Sequence, residues 1–183
     1  MLVALRFLTL ASAVVLTVSA QAQNWPAKPV RIIAPYPPGG LVDVVSRFLA
    51  ERLTPTLGQP VIVENKAGAQ GIVGLEAVKN SVADGYTLGY ANVSGISINP
   101  HLYPKLPYEA LKDFAPVTQI GLTALGMVVP ASLNIKTLPE FIAYAKGNSG
   151  KVSFASFGNG SISHIYGEML KSSEETANCS FCG

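Results

Sequence analysis

Two glycine-bearing turns hold the residue types best placed to do chemistry. One is Tyr36-Pro37-Pro38-Gly39-Gly40 with Asp43 just beyond; the other is Asn159-Gly160-Ser161, followed by Ser163-His164. Glycines leave no side chain between a loop's N–H groups and a small ligand. Each turn runs into apolar residues at helical spacing, so unpaired first-turn amides and the positive end of a helix dipole face whatever lies beyond. That favours a small anion, above all a carboxylate, which amides and hydroxyls satisfy without a permanent cation. The plainer alternative is that the prolines and glycines only turn the chain while Asp43 caps the helix.

Other constellations are thinner. Ser161 or Ser163 with His164, and Asp43 as orienter, names the parts of a serine hydrolase. No G-x-S-x-G elbow is present, and adjacent residues on a helix point in different directions. His101 has no second histidine or cysteine at ligand spacing, so no metal site is expected. Cys179-Ser180-Phe181-Cys182 lacks both a thioredoxin-like context and two further zinc ligands, and reads as an incidental tail. Neither G-x-G-x-x-G after the first strand nor G-K-[ST] occurs, and no cofactor is expected.

These turns need strands and helices to hold them. Val30 to Ala34 and Val61 to Glu64 are short apolar runs that read as buried strands. Val44, Val45, Phe48, Leu49 and Leu53 give a helix from about Val42 to Leu57 that ends at Gly58. Strand-helix-strand alternation implies parallel pairing. Gly68, Gly71 and Gly74 open the next helix, either packed tightly on a neighbour or offering a second set of amides. Asp84-Gly85 turns into a strand from Thr87 to Ala91. Asn92 and Ser94 follow its carboxyl end, where open α/β sheets place ligands. Asn99-Pro100 to Pro107 reads as a loop, and Leu122 to Val129 as a further strand. Thr137 caps a helix from Leu138 to Lys146 with Pro139 in its first turn. Lys151 to Ser156 alternates as a strand and leads into the second turn. Residues 172–183 show neither period.

The chain of 183 residues is 49% hydrophobic and 13% charged, as suits a globular protein able to bury a core. Met1 to Ala22 has a lone Arg6, an apolar stretch and Ala20-Gln21-Ala22, the pattern of a cleaved signal peptide. A mature chain starting at Gln23 would carry 12 basic and 11 acidic residues, none clustered, which excludes an electrostatic nucleic-acid binder.

Pro35-Tyr36-Pro37-Pro38-Gly39-Gly40 with Val42-Asp43 closely resembles the first loop of the Bug family, the extracytoplasmic solute receptors of tripartite tricarboxylate transporters. Val61-Ile62-Val63-Glu64-Asn65, Gly68-Ala69-Gln70-Gly71, Asp84-Gly85-Tyr86-Thr87-Leu88, Ile98-Asn99-Pro100, Leu106-Pro107-Tyr108, Lys112-Asp113-Phe114-Ala115-Pro116-Val117 and Ser156-Phe157-Gly158-Asn159-Gly160-Ser161 extend the match, in order, to about residue 171. The resemblance implies an α/β fold: the amino-terminal part of a two-lobed type II periplasmic binding protein, with residues 23–122 as first lobe and 123–171 as an incomplete second. A truncated, frame-shifted or partial copy would look this way. It also implies a monomeric periplasmic receptor that passes a small carboxylate to a membrane permease. Tyr36, Gly39, Gly40, Asp43 and Ser94, with Asn159, Gly160 and Ser161, would line the ligand. The rivals are an exported hydrolase built on His164 and a remnant that binds nothing.

Overall fold

Three apolar runs become three parallel strands, β1 (Val30–Ala34), β2 (Val61–Asn65) and β3 (Thr87–Gly89), in the order β2-β1-β3. The computed structural model describes residues 24–173 and 180–182. The expected signal peptide, residues 1–22, lies outside them, as does Cys179. Central β1 buries Val30, Ile32, Ile33 and Ala34, the near-continuous apolar run of a strand covered on both faces. Its register runs from Val30 opposite Val61 to Ala34 opposite Asn65, and from Arg31 opposite Thr87 to Ile33 opposite Gly89. Exposed Arg31 reaches both neighbours, donating to Glu64 Oε1 at 3.3 Å and Thr87 Oγ1 at 3.1 Å.

Helix α1 (Leu41–Leu57) packs on β2 and β1 and ends at Gly58, whose φ of 66° lets its N–H return to Thr54 O. The face it buries is not the one its apolar spacing implies. Asp43, Ser46 and Ala50 are buried, whereas Val44 and Phe48 are 57% and 55% exposed. Small and polar residues let the helix lie close to the sheet, and the bonds of Asp43 fix its phase.

Helix α2 (Ile72–Lys79) packs on β1 and β3. A Cβ at Gly74 would stand 2.5 Å from Pro35 Cβ, so tight packing explains that glycine. Beyond β3, which is shorter than expected, the chain makes a π-helical turn at Ser94–Ile98 and one α-helical turn, α3 (Asn99–Leu102), where the sequence reads as a loop. Buried Tyr108 pins this region by donating to Gly95 O at 2.6 Å and meeting Phe114 edge-on at 5.4 Å. Lys79 holds the same segment through Pro107 O at 2.8 Å and Asp113 at 3.0 Å.

Leu122 to Val129 is not a strand. Leu122 and Val128 are each 90% exposed and no described strand pairs with the segment. Apolar content without a partner ladder does not make a strand. Helix α4 (Leu138–Gly147) starts at Thr137 with a complete capping box: Thr137 Oγ1 accepts from Glu140 N, and Glu140 Oε2 accepts from Thr137 N. Strand β4 (Ser153–Ala155) leads through the second turn into α5 (Ile162–Ser173). The tail read as patternless contains β5 (Ser180–Cys182), parallel to β4 with Phe154 opposite Phe181.

Candidate functional site

The first turn leaves the carboxyl end of β1. Gly40 is the N-cap of α1 in extended geometry (φ −79°, ψ 170°), and no side chain caps the helix. Asp43 therefore does not cap as expected. It sits in the first turn and reaches back, Oδ2 accepting from Gly39 N at 2.9 Å. The N–H it takes belongs to the residue before the N-cap, so this is a brace across the turn and not half of a capping box. The N–H groups of Leu41, Val42 and Asp43 precede the first intrahelical bond, Val44 N to Gly40 O, and stay available at the positive end of a 17-residue helix.

Asp43 is 4% exposed and both of its carboxylate oxygens are engaged. Arg47 bonds it at 3.1 and 2.9 Å, and Asn65 Nδ2 donates to Oδ1 at 2.9 Å. Arg47 also reaches Asn65 Oδ1 at 2.9 Å, and Asn65 Nδ2 donates to Tyr36 O at 3.1 Å. The Arg47 bonds, then Gly39 N–H and Asn65, hold the Asp43 carboxyl at about 2; Asp43 in turn raises Arg47. The unit is a neutralised brace that shapes the turn. Arg47 and Asn65 were not foreseen as part of it, although an Arg four residues after an Asp on a helix is a legible signal.

Tyr36 points into a second network. Its hydroxyl accepts from Asn92 Nδ2 at 2.8 Å and donates to Gln70 O at 3.4 Å. Burial pushes its phenol up, against the opposing Asn92 bond. Gln70 O also accepts from buried Asn99 Nδ2 at 3.3 Å. Asn92 Oδ1 accepts from Gly95 N, so Ser94, itself buried, sits in a turn fastened to Tyr36. Gln70 carries φ of 53° inside a run in which Gly68, Ala69 and Gly71 are at 145°, 45° and 88°. Only the flanking glycines hinted at this left-handed stretch.

The second turn is bonded differently. Ser161 Oγ accepts from His164 N at 3.2 Å and caps α5. Gly160 N donates to His164 Nδ1 at 3.2 Å, so that amide does not face outward, contrary to expectation. Ser163 Oγ accepts from Phe157 N at 3.2 Å and lies 3.1 Å from Ser161 Oγ. Asn159 is exposed. His164 stacks on Phe154 at 6.4 Å, and Nδ1 serves as acceptor, which places the neutral ring's proton on Nε2. Asp43 is bonded elsewhere and does not orient it. The two turns do meet, through Gln70: its Nε2 donates to Phe157 O at 3.1 Å. Among the described residues no cluster of three or more His, Cys, Asp or Glu stands ready for a metal, and no helix is long and apolar enough to cross a membrane.

Residues 45–180 match the family model described as tripartite tricarboxylate transporter family receptor. The chain belongs to that family. BugT of Bordetella pertussis is 40% identical over 151 residues, covering 82% of this chain and 46% of BugT. A solved periplasmic transporter superposes with a TM-score of 0.79 at 38% identity, covering 86% of this chain and 53% of the other. MatC of Rhodopseudomonas palustris, solved with bound malate, superposes at 0.68 with 26% identity over 86% of this chain and 53% of its own. The fold is that of the periplasmic binding proteins, and the chain spans about half the length of these relatives. The family's receptors are solute-binding proteins of transport systems.

Proposed function

We propose that the chain captures a small carboxylate in the periplasm, as a monomer, for delivery to the membrane permease of a tripartite transporter. The observation that carries this reading is the uncapped start of α1 beside an ionised Asp43 whose charge is already paired with Arg47. Such amides can hold a carboxylate, whereas an unpaired Asp43 carboxylate facing it would repel it. With its carboxylate bonded to Arg47, Asn65 and Gly39, Asp43 shapes the turn and does not meet the ligand. Tyr36, Gly39, Gly40 and Ser94 are assigned to the ligand on the side of the first turn and exposed Asn159 on the side of the second, where the Gly160 amide and the Ser161 hydroxyl are taken up by His164. Malate in MatC supports a small dicarboxylate as the first compound to try. Residues 23–122 act as one lobe and 123–171 as part of a second.

Hydrolysis is the weaker reading. His164 Nδ1 already accepts from Gly160, and Ser163 Oγ already accepts from Phe157. The test is a thermal melt with di- and tricarboxylates and aromatic or amidated acids. A ligand at a hundredfold excess over its dissociation constant stabilises the folded state by about 2.7 kcal/mol. A midpoint raised by one class of acid supports the reading and names the class. A cooperative melt that no acid moves sinks it.

A further inference from the structure

We propose that Gln70 is a positioning residue that latches the second turn, 157–161, to the first, and that Gly158 and Gly160 are glycines so that this latch can close. In the family reading these glycines would open an approach for ligand. The distances point elsewhere. A Cβ on Gly158, whose φ is 110°, would stand 2.6 Å from Gln70 Nε2, and one on Gly160 would stand 2.8 Å from Leu102 Cδ1. Both glycines face protein, and what they admit is the Gln70 amide and the end of α3.

Gln70 is built to serve as the latch. Its backbone is held in the left-handed region, which a glutamine avoids when free to choose. The hold comes from its carbonyl, which accepts from Tyr36 on one side at 3.4 Å and Asn99 on the other at 3.3 Å. With the backbone fixed, the side chain spans 87 residues of sequence to Phe157 O at 3.1 Å. Asn92 to Tyr36, Tyr36 to Gln70 and Gln70 to Phe157 then form one hydrogen-bonded path from the first turn to the second. A displacement of Tyr36 by ligand therefore reaches Phe157 without contact between ligand and second turn. This purpose rests on the receptor reading; the latch itself does not.

Hydrogen exchange of the ligand-free protein tests it. Gln70→Glu replaces the donating nitrogen with an oxygen of the same size, facing the Phe157 carbonyl. The amides of Phe157, Gly158, Gly160 and Ser161 should exchange about fivefold faster, the loss of about one net hydrogen bond. Those of Val30 to Ala34 should not change. Unchanged exchange at 157–161 overturns the latch. If Gln70→Glu also releases the β1 amides, Gln70→Asn, which keeps the donor but withdraws it by one methylene, is read by the same pattern. Release of β1 in both variants overturns the proposal too, since Gln70 would then belong to the core of the sheet. A receptor on which no carboxylate acts, yet whose turn loosens selectively in Gln70→Glu, would lose the functional reading and keep the latch.

Discussion

Between Tyr36 and Asp43 the carboxylate is occupied and the helix amides are bare; between Ser156 and His164 two hydroxyls, the imidazole and a carbonyl take up amides of the turn, and Ser161 takes up one of the helix. Phe157 N goes to Ser163 Oγ, Gly158 N to Ser156 Oγ, Gly160 N to His164 Nδ1 and Ser161 N to Gly158 O. Both turns are glycine-rich and both open a helix. What separates them is the N-cap position: Gly40 has no side chain to give to α1, and Ser161 gives its hydroxyl to α5. A glycine turn before a helix offers donors only if the capping residue leaves them alone.

The largest loss should come from Asp43→Ala, which removes the one buried acceptor that half-exposed Arg47, Asn65 Nδ2 and Gly39 N–H share. The thermal midpoint should fall further than for any other change considered. Acid reaches the same group. Its carboxyl titrates at about 2 when folded against an ordinary 3.8. The stability it contributes is therefore complete above about pH 4 and is lost as pH falls towards 2. Asp84, Asp113 and Glu140 are lowered as well and add to the slope. Midpoints measured from pH 5 to 2 should fall less steeply in Asp43→Asn than in the parent. Equal slopes would mean that the brace does not hold Asp43 ionised.

Next comes a pair of alanines, one per turn. Gly158→Ala must accept a φ of 110° and a Cβ 2.6 Å from Gln70 Nε2. Strain and overpacking together should cost about 2 kcal/mol. Gly40→Ala meets only Pro37 O, at 3.7 Å, in extended backbone, and should stay within about 0.5 kcal/mol. Chemical denaturation of both variants checks the contrast, and a Gly158→Ala protein as stable as the parent would undo it.

Much of the frame was legible before the structure. The strands at Val30 and Val61, the parallel pairing, the stop at Gly58 and the cap at Thr137 all follow from local rules, because in each case the residue's own preference and its neighbours agree. The site was less so. Asp43 reads as a cap, but Gly40 occupies that position, and the aspartate's partners Arg47 and Asn65 come from α1 and β2. Gln70 sits in a backbone conformation that its side chain does not favour, held by Tyr36 and Asn99, so nothing local announces it. Leu122 to Val129 fails for the opposite reason: its composition suits a strand, but a strand is a pairing, and composition does not supply the partner.

Removing the second turn's cap gives a smaller effect. Ser161→Ala takes the acceptor from His164 N and a neighbour from Ser163 Oγ. About 1 kcal/mol of stability should go, as for other N-caps. Carboxylate-induced stabilisation, measured relative to the variant's own midpoint, should persist. Its disappearance would show that the Ser161 hydroxyl serves the ligand more than the helix.

The smallest change in stability carries the sharpest question. Gly40→Ser gives α1 the cap that α5 already has, at a position whose φ of −79° and ψ of 170° suit a serine. The new hydroxyl can accept from the N–H of Val42 or Asp43, and a serine exceeds a glycine at N-cap by a few tenths of a kcal/mol. The midpoint without ligand should therefore rise slightly. The same amides are the donors assigned to the carboxylate, so the hydroxyl competes for them. Losing about one net hydrogen bond should weaken affinity about fivefold. Stability and affinity moving in opposite directions is the signature of donors left bare for a ligand. If calorimetry finds the affinity unchanged while the midpoint rises, the amides of α1 are ordinary helix ends, and the difference between the two turns is one of folding alone.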